Sequence, residues 1–157
     1  MARTMLSVNS KAPQFTLNDL DGVSHSLAAI LQRGPVLLIL YKISCPVCQL
    51  TLPFLNRIAN GGLQIVAISQ DDAASTRRFQ SKFGVNLPTL LDREEESYPV
   101  SNAFGITHVP SLFLVESDGT ISFVSEGFIK KDLESLAERA GLPVFRQEET
   151  VPAWKAG

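Results

Sequence analysis

The stretch YKISCPVCQLTLPFL, residues 41–55, carries both cysteines of the chain, Cys45 and Cys48, with Pro46 and Val47 between them. It follows the continuously apolar run VLLILY (36–41), bounded upstream by Gly34-Pro35. A run that short suits a strand buried on both faces. Downstream, Leu50, Phe54, Leu55 and Ile58 fall at helical spacing, so a helix is expected over 46–59, stopped by Asn60-Gly61-Gly62. Pro46 suits a first helical position, where no N–H is needed. Pro53, inside the segment, is expected to kink it.

Two cysteines at this spacing, on the first turn of a helix, can close a small disulfide ring and open it again with little backbone movement. Cys45 falls at the helix N-terminus, where unpaired N–H groups and the dipole favour an anion. A thiolate there attacks a disulfide, and Cys48, one turn in, then attacks Cys45 and releases the product. Two inert buried thiols, or a metal-holding pair, are the competing readings of the same spacing.

Composition narrows the choice. With 157 residues, 45% of them apolar, the chain is sized for about one domain with a real core. Net charge is −2, and the best basic cluster, Arg77-Arg78 with Lys82, reads as a solvated helix face. Neither nucleic acid nor a lipid surface is expected. No apolar run approaches the ~20 residues of a membrane helix, and MARTMLSVNSK does not read as a secretory signal, so the sequence as given reads as cytoplasmic, with an extracytoplasmic site as the alternative if a signal has been removed. Two cysteines are too few for a disulfide scaffold. Zinc needs about four ligands, and two cysteines with His25 and His108 supply them only barely and without metal-site spacing. No metal is expected.

Elsewhere the pattern alternates. A short edge strand is expected in QFTLND (14–19), a turn at Asp21-Gly22, and a helix over 27–31 capped by Ser26. A second buried strand (63–69) precedes a helix over 73–83, capped by Asp71 or Asp72 and closed by Gly84. A short strand (87–92), a helix (about 97–104), a strand (111–117), a hairpin at Asp118-Gly119 and a last helix (130–140) complete the order. Strands alternating with helices imply an α/β fold: a mixed central sheet, helices on both faces, and an N-terminal extension. The organisation expected is an N-terminal arm (1–11), one domain (12–141) and a loose or partner-dependent tail (142–157). In such sheets, ligand sites lie beyond the carboxyl ends of the strands, which is where the cysteine loop falls.

The residues quoted above, together with APQFTLNDLDGVSHSL (12–27) and FGITHVPSLFLVESDGTISFVSEGF (104–128), resemble the thioredoxin superfamily. The nearest likeness is to its TlpA/ResA-like thiol-disulfide oxidoreductases, grouped with AhpC/TSA-type proteins. The resemblance runs from Ala12 to about Ala140 and implies a thioredoxin-like fold with Cys45 as nucleophile and Cys48 as resolving thiol. It also implies a cis Val109-Pro110 bond facing the cysteines, with Val109, Pro110 and Ser111 shaping a groove for an extended substrate strand. No cofactor is implied. The implied partners are protein disulfides or dithiols and a redox partner, with the chain a monomer or weak dimer.

Departures from the family pattern are informative. Ser44 stands where members often have Trp, and the positions of the family's buried acids are Ile39 and Thr51. Activation of Cys48 is therefore left to water, to backbone groups, or to a neighbour such as Lys42 or His108, which could tune the thiol. Two rival functions share the fold. A peroxiredoxin-like enzyme carries a Pro-xxx-Thr-xx-Cys pattern, whose threonine and proline fall here at Lys42 and Leu38. A copper-binding SCO-like chaperone uses two cysteines and a distant histidine, but usually with the cysteines one residue further apart.

Overall fold

The computed structural model describes residues 4–157; residues 1–3 of the expected arm lie outside them. Strand β1 (Thr16–Asn18) pairs antiparallel with β2 (Ser24–Ser26) in a small hairpin. Helix α1 (Leu27–Leu31) follows, and the Ser26 hydroxyl accepts the Ala29 N–H as its cap. The main sheet then starts with β3 (Val36–Tyr41). It continues through α2 (Pro46–Arg57), β4 (Gln64–Ser69), α3 (Ala73–Phe83) and β5 (Thr89–Leu91). Asp72, not Asp71, caps α3. Helix α4 (Pro99–Ala103), strands β6 (Ser111–Val115) and β7 (Ile121–Glu126), a two-residue β8 (Phe128–Ile129), helix α5 (Lys130–Ala140) and β9 (Trp154–Lys155) complete the chain.

The five-stranded sheet has the order β5-β4-β3-β6-β7. Strands β3, β4 and β5 are parallel, whereas β6 runs antiparallel to β3 and β7 antiparallel to β6. Every residue of β3 is buried, as expected of a central strand covered on both faces. The period of two divides the core. Leu37, Ile39 and Tyr41 face α2, Phe79 of α3, and Leu133 and Leu136 of α5. Val36, Leu38 and Leu40 face α1, Val100 and Phe104. The N-terminal extension packs on that second face, with Leu6 donating to the Phe104 carbonyl and Asn9 to that of Ile121.

Residue 92 closes β5 with a buried carboxylate. Asp92 accepts the Val100 N–H (2.9 Å), the Ser101 N–H (2.7 Å) and the Ser101 hydroxyl (2.5 Å), so α4 is tied to the carboxyl end of the sheet. Satisfying all three donors is what makes a buried acid tolerable there.

The tail, expected to be loose or partner-dependent, is docked on the domain. Phe145 packs edge-on to Phe54 of α2, and Glu149 takes both terminal nitrogens of Arg57 at 2.7 Å. Beyond them β9 pairs antiparallel with β8. Composition misled here, because prolines and charges mark loops but do not reveal a complementary Arg57 and an aromatic seat.

Arg57 and the Arg146 N–H hold the Glu149 carboxyl down to about 2, from an ordinary value near 4.5. A carboxyl depressed in the folded state stabilises fully above its unfolded pKa and loses that contribution as pH falls towards the folded one. Tail docking is therefore expected to weaken between about pH 4.5 and 2, and Glu149→Gln to loosen it at pH 7, seen as faster amide exchange over residues 145–155. Exchange unaltered by the substitution would contradict this.

Candidate active site

The carboxyl ends of β3 and β4 and the start of α2 converge on one loop. Tyr41 is in register with Ser69, and Gln70 donates its N–H to the Tyr41 carbonyl, so the two chains leave the sheet together. Beyond the strand ends, an Asp71 carboxylate oxygen accepts the Ile43 N–H at 2.8 Å, and the Gln49 side-chain amide donates to the Ile43 carbonyl at 3.0 Å. The loop carrying Lys42 to Cys45 is thereby held from both sides.

Cys45 is the N-cap of α2, with extended backbone (φ −82°, ψ 118°), and Pro46 opens the first turn. Its sulfur accepts the Cys48 N–H at 3.2 Å, filling the role that a serine or aspartate oxygen plays at other helix starts. As a thiol it also donates to the Val109 carbonyl at 3.4 Å. Both cysteines are unbonded; Cys45 is half-buried and Cys48 has no exposed surface. Burial pushes the Cys48 thiol far up, and the charges of Cys45 and Asp71 push the same way, while the Lys42 N–H, directed at the sulfur, opposes them.

In the same core cluster as Cys48 lies Tyr41, fully buried against Phe79, with a hydroxyl that finds no hydrogen-bond partner among the described residues. Burial pushes that phenol up. The Ser69 hydroxyl lies close by but is turned to Thr76 and to the Asp71 N–H.

The Val109-Pro110 bond is cis, and the Ser111 hydroxyl donates to the His108 carbonyl at 2.7 Å, closing that loop on itself. The Val109 carbonyl thus comes to 3.4 Å from the Cys45 sulfur, the side on which the family resemblance puts that loop. The His108 ring turns elsewhere: its Nδ1 lies 2.6 Å from a Glu126 carboxylate oxygen, at the surface. Lys42 bears on Cys48 through its backbone N–H. Asp71 and Gln49 are contributors that sequence reading missed; the only signal was Asp71's place just past a buried parallel strand.

A cleft of about 600 Å³ opens beside Val109, lined by Lys42, Gln70, Tyr98, His108 and Gly157 among others. Tyr98 holds left-handed backbone (φ 49°) at the start of α4, and Gln70 is pinned on the Ser101 hydroxyl at 2.9 Å. A slightly larger cleft at the other end of the sheet, near Asp19, Arg33 and Asn86, contains no thiol. Among the described residues no group of three His, Cys, Asp or Glu side chains gathers as a metal site, and no helix is long and apolar enough to cross a membrane.

The sequence pattern of the AhpC/TSA family matches residues 8–124, and the chain belongs to that family. Among its relatives, the thiol-disulfide oxidoreductase ResA of Geobacillus thermodenitrificans is 29% identical over 144 residues, covering 85% of this chain and 80% of that one. A Mycobacterium tuberculosis protein provisionally named a peroxiredoxin is 30% identical over 131 residues, covering 75% of this chain and 83% of that one. The thioredoxin domain of a Bacteroides vulgatus thiol-disulfide oxidoreductase superposes with a TM-score of 0.74 at 24% identity, covering 85% of this chain and 97% of that one. The fold is thioredoxin-like.

The two sulfurs should differ in accessibility. Iodoacetamide at pH 7 is expected to modify Cys45 at least roughly tenfold faster than Cys48, with Cys48 reacting only on unfolding. Peptide mapping by mass spectrometry reads this directly, and comparable labelling of both in the folded protein would contradict the burial gradient.

Proposed function

We infer that the protein is a thiol-disulfide oxidoreductase acting on protein disulfides or dithiols, with Cys45 as the attacking sulfur and Cys48 as the resolving one. The observation that carries this is the sulfur of Cys45 at the cap of α2, half-exposed, with the Cys48 N–H at 3.2 Å and the Val109 carbonyl at 3.4 Å. In the reducing direction the Cys45 thiolate attacks one sulfur of a substrate disulfide. The substrate S–S bond breaks, and the departing thiolate takes a proton. Cys48 then gives up its proton and attacks Cys45, forming the Cys45–Cys48 bond and releasing the second substrate thiol. Two electrons pass from the pair to the substrate, and the reverse sequence oxidises a dithiol. The buried, proton-holding state of Cys48 supports this order, because it keeps the resolving thiol silent until Cys45 is engaged.

Relatives named as peroxiredoxins favour a peroxide-reducing alternative, but the site supports it poorly. With Cys45 as the peroxide-attacking sulfur, the pattern's threonine falls at Lys42 and its proline at the buried Leu38. With Cys48 in that role they fall at Cys45 and Tyr41, and the sulfur has no exposed surface.

The test is insulin reduction with dithiothreitol as the electron source. Cys45→Ser is expected to lose activity by roughly a hundredfold or more, and Cys48→Ser to accumulate mixed disulfides through Cys45. Hydrogen peroxide consumption by the wild-type protein is expected at the rate of an ordinary thiol. Rapid peroxide turnover with no insulin reduction would replace this function with the peroxidase one.

A further inference from the structure

The docked tail reaches the groove. The backbone of Gly127 donates to the Pro110 carbonyl at 2.9 Å, and the chain continues from there into β8. Strand β9 lies along that edge, with Phe128 opposite Lys155, and the Lys130 N–H donates to the Ala153 carbonyl at 3.0 Å. The next residues cross Gly127 so closely that a β-carbon there would sit 2.5 Å from the Lys155 carbonyl oxygen and 2.9 Å from the Gly157 nitrogen. Gly157 then rests on Val109: a β-carbon on it would lie 2.6 Å from the Val109 carbonyl oxygen, the atom that receives the Cys45 thiol. Glycine at 127 and at 157 is what permits this approach.

Val109 therefore has the tail on the carbonyl that also meets the reactive sulfur, while its own N–H has no partner among the described residues. An extended polypeptide pairing beside Cys45 needs this backbone. The occupant is lightly held. Ala153–Gly157 are all exposed, Trp154 with 62% of its surface free. The firm anchors, Phe145 and Glu149, lie upstream and keep the segment close to the groove when it lifts.

We propose that residues 153–157 are a displaceable stand-in for substrate, seated where an extended cysteine-bearing segment of a protein substrate pairs with Val109, so that protein substrates compete with the tail and small disulfides do not. This rests on the oxidoreductase reading above and deepens it. The site then favours flexible, extended segments of protein substrates, which can replace the tail strand for strand.

The experiment compares the full chain with a chain ending at Pro152, which keeps Phe145 and Glu149. Insulin and bis(2-hydroxyethyl) disulfide serve as substrates. A groove open about one-third of the time would gain about threefold in kcat/KM for insulin on truncation, mainly through KM. The rate with the small disulfide should not change, and the free peptide VPAWKAG should restore competitive inhibition of insulin reduction. An insulin kcat/KM that is unchanged or lower, with thermal melting and the small-disulfide rate preserved, overturns the proposal. Loss of both activities in the full chain would instead overturn the oxidoreductase reading. Should the truncated chain fail to fold, the full chain decides. With Cys48→Ser holding a cysteine peptide as a mixed disulfide on Cys45, amide exchange at residues 155–157 is expected to quicken about tenfold over the peptide-free protein. Unchanged exchange overturns the proposal.

Discussion

The N–H of Cys48 donates to the sulfur of Cys45, and most of the site depends on that contact. It makes the sulfur a helix cap, so a thiol takes a position that helix geometry must fill in any case. It also places the second sulfur on the first turn, on the very residue that donates the hydrogen. The surrounding structure serves to keep this turn in place. Tyr41 and Ser69 leave the sheet side by side, Asp71 and Gln49 grip Ile43, and the Val109 carbonyl closes over the sulfur.

The gradient between the sulfurs is the second consequence. Cys45 is half-buried and Cys48 fully buried, in the same core cluster as Tyr41. Desolvation holds the Cys48 proton, and the Lys42 N–H offsets part of that. The positions of the family's buried acids are filled by Ile39, inside the core, and Thr51, whose hydroxyl donates to the Val47 carbonyl at 2.7 Å. Asp71, just past the end of the neighbouring strand, adds only a minor push in the same direction as desolvation.

The central strand, the active-site helix and the hairpin were legible because each carries a local signal: a short apolar run, a Pro-opened helical period, an Asp-Gly turn. Helices α1, α3 and α5 match their expected bounds for the same reason, with Ser26, Gly84 and Gly141 marking their ends. The cysteine pair was legible from spacing, and the Val109-Pro110 loop from family resemblance. What remained hidden depends on long-range pairs. The Arg57–Glu149 bridge joins residues 92 positions apart, and no composition rule anticipates it. Asp71 read as one of two candidate caps because local sequence offers that role to both Asp71 and Asp72, whereas the actual partner of Asp71 is Ile43, 28 positions upstream. His108 read as a neighbour of the cysteines by sequence distance from Pro110, but its ring follows Glu126 of β7.

The central claim is that the two sulfurs act as one two-electron couple. Equilibration of the purified protein with glutathione buffers of graded potential, followed by acid quenching and intact-mass measurement, tests it most directly. A paired site gives a single transition with loss of two hydrogens, at a potential in the roughly −120 to −270 mV range of such couples, and little glutathione adduct. Stepwise glutathione adducts on the separate cysteines, with no Cys45–Cys48 bond at any potential, would contradict it.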